Sequence, residues 1–191
     1  ADSYLISAQA QSNIGNNQGR IEFINKWFQK CHMLPINSVD ANLSLHPKYL
    51  RCSVPYSCED GPLISVIMTT YNRNSMIDST IDSILDQTYK NIELIIIDDC
   101  SKDDLYSHLK SRAGDDNRIR PYRMDENGGT YLAKNYGLIQ AMGEFITFMD
   151  SDDWAHPQRL EYQFRTLQEN EDAVAVIHNY FRITEDGNIV V

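Results

Sequence analysis

Positive charge is scarce in this chain. Its 191 residues carry 17 Lys and Arg against 27 Asp and Glu, for a net charge of −10. With no basic stripe to replace phosphate counterions, general nucleic-acid binding is excluded. Cysteine is also sparse. Cys31, Cys52, Cys58 and Cys100 include no C-x-x-C pair, which argues against zinc, and they read as free thiols. No apolar run is long enough for a membrane span or for the core of a signal peptide. Together these absences lead to the expectation of a cytoplasmic protein, at most peripheral to the inner face of a membrane. Internal repeats and low-complexity tracts are lacking too. The absence of an initiator methionine and the strand-like end Asn188-Ile-Val-Val191 suggest a segment of a longer chain.

The hydrophobic content is 42% and the aromatic content 10%, as expected of one good core with an appendage. Residues 1–61 read as an N-terminal extension. Ile24, Trp27, Phe28 and Cys31 recur there at helical spacing and predict a helix over Arg20 to His32, followed by irregular chain with Pro35, Pro47 and Pro55. From Pro62 to Val191 strands and helices alternate. Leu63 to Met68, Ile92 to Ile97, Ile119 to Met124, Phe145 to Met149 and Ala173 to Ile177 read as apolar strands. Between them, helices are predicted after a Ser75-x-x-Asp78 capping signature, over Leu105 to Arg112, from Thr130 and from Pro157. The last residues, from Phe181, look like a hairpin turning at Asp186-Gly187. The implied fold class is α/β, a mostly parallel sheet with helices on both faces. Right-handed crossovers would place the carboxyl ends of its strands on one edge, where open α/β sheets bind ligands.

Polar residues collect on that edge. The most informative run is Glu144-Phe-Ile-Thr-Phe-Met-Asp-Ser-Asp-Asp153, an apolar strand that ends in carboxylates. Ionised carboxylates beside a core need a cation or several hydrogen bonds. Asp150 and Asp152, two apart at a strand exit, can both reach one divalent ion, and Mg²⁺ or Mn²⁺ suits such oxygen ligands. A D-x-D alone also fits a solvated acidic turn. Thr69-Thr-Tyr-Asn72 follows the first strand, Asp98-Asp-Cys-Ser101 the second, and Asp125-Glu-Asn-Gly-Gly129 the third. Each has a use toward a nucleoside diphosphate. Asp99 can accept the N3–H of uracil and Tyr71 can stack on the ring. Gly128-Gly129 lets backbone approach a ligand at a helix N-terminus, which favours negative charge. Lys134, one turn into that helix, can reach a phosphate, although a solvated surface lysine has the same signature.

Taken in order, Ile64-Ser-Val-Ile-Met-Thr-Thr-Tyr-Asn72, Ser83-Ile-Leu-Asp-Gln-Thr-Tyr89, Ile97-Asp-Asp-Cys-Ser101, Asn127-Gly-Gly129 with Ala133-Lys-Asn135, and Gly143 through Asp153 resemble family 2 glycosyltransferases over about Pro62 to Ile183. The resemblance implies a GT-A fold, an activated nucleotide-sugar donor carrying UDP, a Mn²⁺ or Mg²⁺ cofactor, and inversion at the anomeric carbon. It places 62–191 as the nucleotide-sugar-binding domain, truncated at its C-terminus. It implies that Thr69, Tyr71 and Asn72 belong to the donor site and that Asp99 binds the base. Asp150 would sit against the ribose or a metal-bound water, and Asp152 would ligate the metal. Lys134 stands where the family often has Arg. The general base of an inverting transfer lies well downstream of D-x-D in the family. No residue here is assigned to it, Glu185 and Asp186 reading as turn residues, so it is expected beyond Val191. The Q-x-x-R-W signature of processive synthases is lacking. The acceptor is left as a saccharide, a lipid-linked molecule or a protein, with polysaccharide biosynthesis as the setting.

Other readings fit less well. A haloacid-dehalogenase-like phosphatase wants Thr or Val where Trp154 stands, and carries its D-x-D after the first strand. A receiver domain does not explain the Gly-Gly loop, and a nucleotidyltransferase opens on a Gly-rich basic loop. A non-catalytic nucleotide-sugar-binding module is the alternative from a different class.

Overall fold

The computed structural model describes residues 4, 7–8, 16–38, 46, 49–52, 56–58, 61–72, 75–177, 180–183 and 189–190. In chain order its elements are helix α1 (Asn17–Lys30), strands β1 (Asn37–Ser38), β2 (Leu50–Arg51) and β3 (Ile64–Thr70), helix α2 (Ile77–Leu85), β4 (Ile92–Asp98), α3 (Leu105–Asp115), β5 (Ile119–Arg123), α4 (Thr130–Gln140), β6 (Phe145–Asp150), α5 (Arg159–Gln168), β7 (Arg182–Ile183) and β8 (Ile189–Val190). They fall into two compact units, Cys58–Ala155 and the described parts of Ala1–Ser57 with His156–Val191. The donor-binding domain expected over 62–191 spans both.

The unit Cys58–Ala155 is built on a four-stranded sheet in the order β5-β4-β3-β6. Each pairing is parallel, with Ile64 opposite both Ile92 and Phe145, and Leu94 opposite Ile119. Every residue of β3 and β4 is buried. That is why they read as continuous apolar runs: side chains alternate between two faces, and both faces are covered. On one face Ile67, Ile95 and Ile97 pack with Ala133 of α4. Gly137 lets this helix approach closely, since a Cβ there would sit 2.5 Å from the Ile67 side chain. α2 buries Ile77, Ile81 and Ile84. It is tied to α3 by Asp78, which receives His108 and Arg112, and by Asp82, which also receives Arg112.

At the amino end of the sheet, Glu93 is buried on β4 and gathers Ser65 Oγ, the Met142 N–H and the Arg120 guanidinium. Burial pushes its pKa up, but these donors outweigh it and hold the carboxyl below its ordinary range. The parallel register carries Thr70, Asp98 and Arg123 to the opposite end in line, with Asp150 beside Thr69. One edge therefore collects the four strand exits, as the alternation of strands and helices requires.

In the other unit α1 is capped by Asn16, whose side chain accepts from the Gly19 N–H at 2.9 Å. It buries Ile24, Trp27 and Phe28. Trp27 meets Phe28 and Phe181 edge-on at 5.2 and 5.7 Å. Asn25 satisfies both backbone groups of Ile36. Gln158 accepts from the Leu34 N–H at 2.6 Å and His156 Nε2 donates to the Leu34 carbonyl at 2.9 Å. The strand pairs β1–β2 and β7–β8 are antiparallel.

Three local expectations change. Ser75 does not cap α2. Met76 holds the N-cap position with no side-chain hydrogen bond, a thioether being no capping acceptor, and Asp78 is bonded to α3. α5 starts at Arg159, with Pro157 in the turn before it. Ala173 to Ile177 forms no strand, and Val174 and Ile177 are 100% and 96% exposed. An apolar run becomes a strand only where a neighbour completes its hydrogen-bond ladder, and none does so among the described residues. The hairpin pairing after Phe181 is present as β7–β8, whereas Asp186-Gly187 lies outside the described residues.

Candidate functional site

The β4 exit organises the edge. Asp98, fully buried at the end of the strand, accepts the Ser101 N–H at 2.9 Å and lies 3.7 Å from the Arg123 guanidinium. Arg123 also donates to the Ser101 carbonyl at 2.7 Å. Asp98 is thus a structural acid that shapes the turn. Asp99 faces the next loop. Its Oδ1 accepts the Gly128 N–H and its Oδ2 the Gly129 N–H, both at 2.8 Å, while Asn127 Nδ2 donates to its carbonyl at 3.0 Å. Only 4% of Asp99 is exposed. A carboxylate has about four acceptor positions, so each oxygen keeps one for a further N–H. The backbone amides that the sequence offers to a ligand at Gly128-Gly129 are turned onto Asp99. Gly129 has φ +78° and ψ 167°, a conformation open to glycine at little cost, and it starts α4.

The β3 exit is clamped to the β4 exit. Asn72 adopts φ +58°, its N–H donates to Ser101 Oγ at 2.7 Å, and its Oδ1 accepts the Lys102 N–H at 3.2 Å. Cys100 is likewise left-handed at φ +61°. Two non-glycine residues with positive φ on adjacent exits mark a backbone held by its surroundings. Asn72, read from sequence as a donor-site residue, uses its N–H and Oδ1 in this clamp. Tyr71 beside it is 46% exposed, and Thr69 is buried next to Asp150.

The acidic exit of β6 rests on α2. Thr80 Oγ1 lies 3.0 Å from the Ser151 carbonyl and 2.7 Å from that of Asp153. The Asp153 N–H reaches the Asp150 carbonyl at 3.3 Å, and Ser83 Oγ accepts the Ala155 N–H at 3.1 Å. Thr80 was not picked out from the sequence, and Ser83 only as the first residue of a stretch that carries the family resemblance. Their signal is polarity on a face that otherwise carries Ile77, Ile81 and Ile84, with Thr80 wholly buried. Asp150 is 57% exposed and pairs with Lys134, Oδ1 to Nζ 3.0 Å. Asp152 is exposed, and its carboxylate has no hydrogen-bond or ion-pair partner among the described residues.

The geometry brings Asp99 together with Gly128, and Lys134 together with Asp150. It joins Asn72 to Ser101 rather than to Asp99. No group of three or more His, Cys, Asp or Glu converges among the described residues. The donor chemistry still suits a hard divalent ion, because Mg²⁺ is usually held by one or two carboxylates together with substrate phosphates. Asp150 and Asp152 are two such carboxylates on a braced turn. No helix among the described residues is long and apolar enough to cross a membrane.

Comparison with known proteins adds relatives and a fold. Among curated proteins, Glycosyltransferase GlyG of Streptococcus pneumoniae serotype 4 is 40% identical over 127 residues, 66% of this chain and 42% of that one. Glycosyltransferase GlyA of the same organism is 37% identical over 122 residues, 64% of this chain and 17% of that one. The chain therefore spans less than half the length of these relatives. Among solved structures, S. aureus TarS 1-349 in complex with UDP-GlcNAc is 29% identical with a TM-score of 0.52, covering 56% of this chain and 32% of that one. The UDP complex of the same protein gives 28% and 0.52. The fold is thus α/β of the GT-A type. The profile named Glycosyl transferase family 2 matches residues 65–190, and with two thirds of its length in that match the chain belongs to this family.

Proposed function

We propose that this chain is the donor-binding part of a glycosyltransferase that moves a sugar from a UDP-sugar to an acceptor, with inversion and with a divalent metal. The observation that carries the reading is the joint placement of Asp99, the Gly128-Gly129 loop, Lys134 and the Asp150–Asp153 turn on one sheet edge. The solved TarS complexes with UDP and UDP-GlcNAc support a uridine nucleotide as the donor's carrier.

In this reading Asp99 accepts the base N3–H on an oxygen already held by a glycine amide. A pyrimidine that presents an acceptor at that position would be repelled, so the carboxylate sorts uracil from cytosine. Tyr71, exposed at the β3 exit, stacks on the base. The N-terminus of α4 and Lys134 receive the diphosphate. Asp150 and Asp152 would hold Mn²⁺ or Mg²⁺, which as a Lewis acid offsets charge on the departing diphosphate. An inverting transfer also needs a base for the acceptor hydroxyl. No described carboxylate is assigned that role, and the acceptor, whether saccharide, lipid-linked or protein, belongs to the whole protein.

The test is nucleotide selectivity. UDP is expected to bind more tightly than CDP in calorimetric titration, and the preference should shrink in Asp99→Asn. Equal binding of the two nucleotides by the wild-type chain would contradict the assignment of this edge.

A further inference from the structure

Lys134 stands in an unfavourable place for a cation. It is the fifth residue of α4 (Thr130–Gln140), and a long helical side chain leans back toward the helix N-terminus, where the dipole favours negative charge and disfavours positive. Its ammonium is not dispersed into solvent. It sits 5.7 Å from the centre of the Phe148 ring and 3.0 Å from Asp150 Oδ1, with 24% of its side chain exposed against 57% for the aspartate. Thus a carboxylate assigned to the metal is already engaged by a cation of the protein. An ammonium and a divalent ion at one carboxylate repel each other. The same helix N-terminus favours a phosphate beside that ammonium.

We propose that Lys134 is the resident counter-ion of Asp150. It neutralises that carboxylate while the metal is away, competes with a divalent ion for it, and turns to the donor's diphosphate once the ion has taken the carboxylate. This rests on the metal reading given above and adds a partner exchange to it. Lys134 then has opposite effects on two ligands: it weakens binding of the bare metal and strengthens binding of the metal-bearing nucleotide. A purely structural lysine would weaken both when removed, and a lysine that served phosphate alone would leave the bare metal untouched.

The experiment uses the 191-residue chain. Mn²⁺ binding without nucleotide is read by electron paramagnetic resonance, and UDP binding at saturating Mn²⁺ by calorimetry. Partly exposed ion pairs are worth little, so Lys134→Met is expected to bind Mn²⁺ about two- to fivefold more tightly than wild type. The same variant should bind UDP with Mn²⁺ severalfold more weakly. Lys134→Arg, which keeps the pair, should stay near wild type for Mn²⁺. Lys110→Met, which removes an equal charge from α3, controls for the general field of the protein. Equal Mn²⁺ isotherms for wild type and Lys134→Met, including none in either, would overturn the proposal. A gain no larger than that of Lys110→Met would overturn it as well. If wild type binds UDP equally in Mn²⁺ and in EDTA, the metal reading itself fails and the exchange fails with it. That outcome is distinct from a metal-dependent protein in which Lys134 is silent.

Discussion

At the scale of single residues, the informative contrast is between Asp98 and Asp99. Both are buried at the end of β4, yet Asp98 ties its own turn together while Asp99 reaches across to the amides of Gly128 and Gly129. Replacing Asp99 by Asn puts an NH₂ group against one of those N–H donors and removes the charge. Hydrogen bonds to ionised groups are worth about 1.5–3 kcal/mol. Asp99→Asn is therefore expected to lower UDP affinity roughly tenfold or more, and hydrogen exchange at Gly128 and Gly129 should speed up in the free protein. Unchanged exchange would mean that the carboxylate does not hold the loop. That β4 ends in two aspartates on the polar edge of the sheet was legible in the sequence. Which amides satisfy Asp99 was not, because the partners lie some thirty residues away and glycine amides carry no side-chain signal. The pairing of Lys134 with Asp150 was hidden because it depends on how α4 packs beside β6, although both residues were singled out individually.

At the scale of elements, the acidic turn owes its shape to α2. Thr80 has one hydroxyl proton and three carbonyls within reach, those of Met76, Ser151 and Asp153, the last being nearest at 2.7 Å. Thr80→Val keeps the volume and removes the hydroxyl that ties α2 to the acidic turn. It is expected to lower stability by about 1–2 kcal/mol in urea denaturation and to weaken Mn²⁺-dependent UDP binding, whereas Thr80→Ser should retain most of both. Strands β3 to β6 and the helices between them were readable because their apolar periods are long and unambiguous. Helix starts were less so. Ser75-x-x-Asp78 matched a capping pattern, but Asp78 was taken by His108 and Arg112 from the next helix, and local propensity yielded to tertiary pairing. The run Ala173 to Ile177 has the composition of a strand, and composition cannot supply the neighbouring ladder.

At the scale of the whole molecule, stability and ligand binding follow different groups. His156, 7% exposed beside Phe28, donates from Nε2 to the Leu34 carbonyl and accepts the Gln158 N–H on Nδ1. This arrangement requires a neutral ring, and burial drives its pKa down to about 4, against a hydrogen bond to the Leu34 carbonyl that raises it. Below pH 6.5 the unfolded chain takes up a proton there that the native chain refuses until about pH 4. The stabilisation is therefore complete above pH 6.5 and is lost as pH falls from 6.5 to 4. Between pH 7 and pH 5 the loss should be about 2 kcal/mol in chemical denaturation, and His156→Gln, which can keep both hydrogen bonds, should show a shallower dependence by that amount. Ligand binding is proposed to depend instead on the sheet edge, with the Asp150–Asp153 turn presenting a metal to a uridine diphosphate through Asp152. Titration of UDP in Mn²⁺ and in EDTA, with wild type and Asp152→Ala, tests this proposal most directly. The expected result is binding by wild type that weakens sharply in EDTA, with Asp152→Ala in Mn²⁺ falling to the EDTA level. Binding that is independent of the metal and unaffected by the substitution would contradict it.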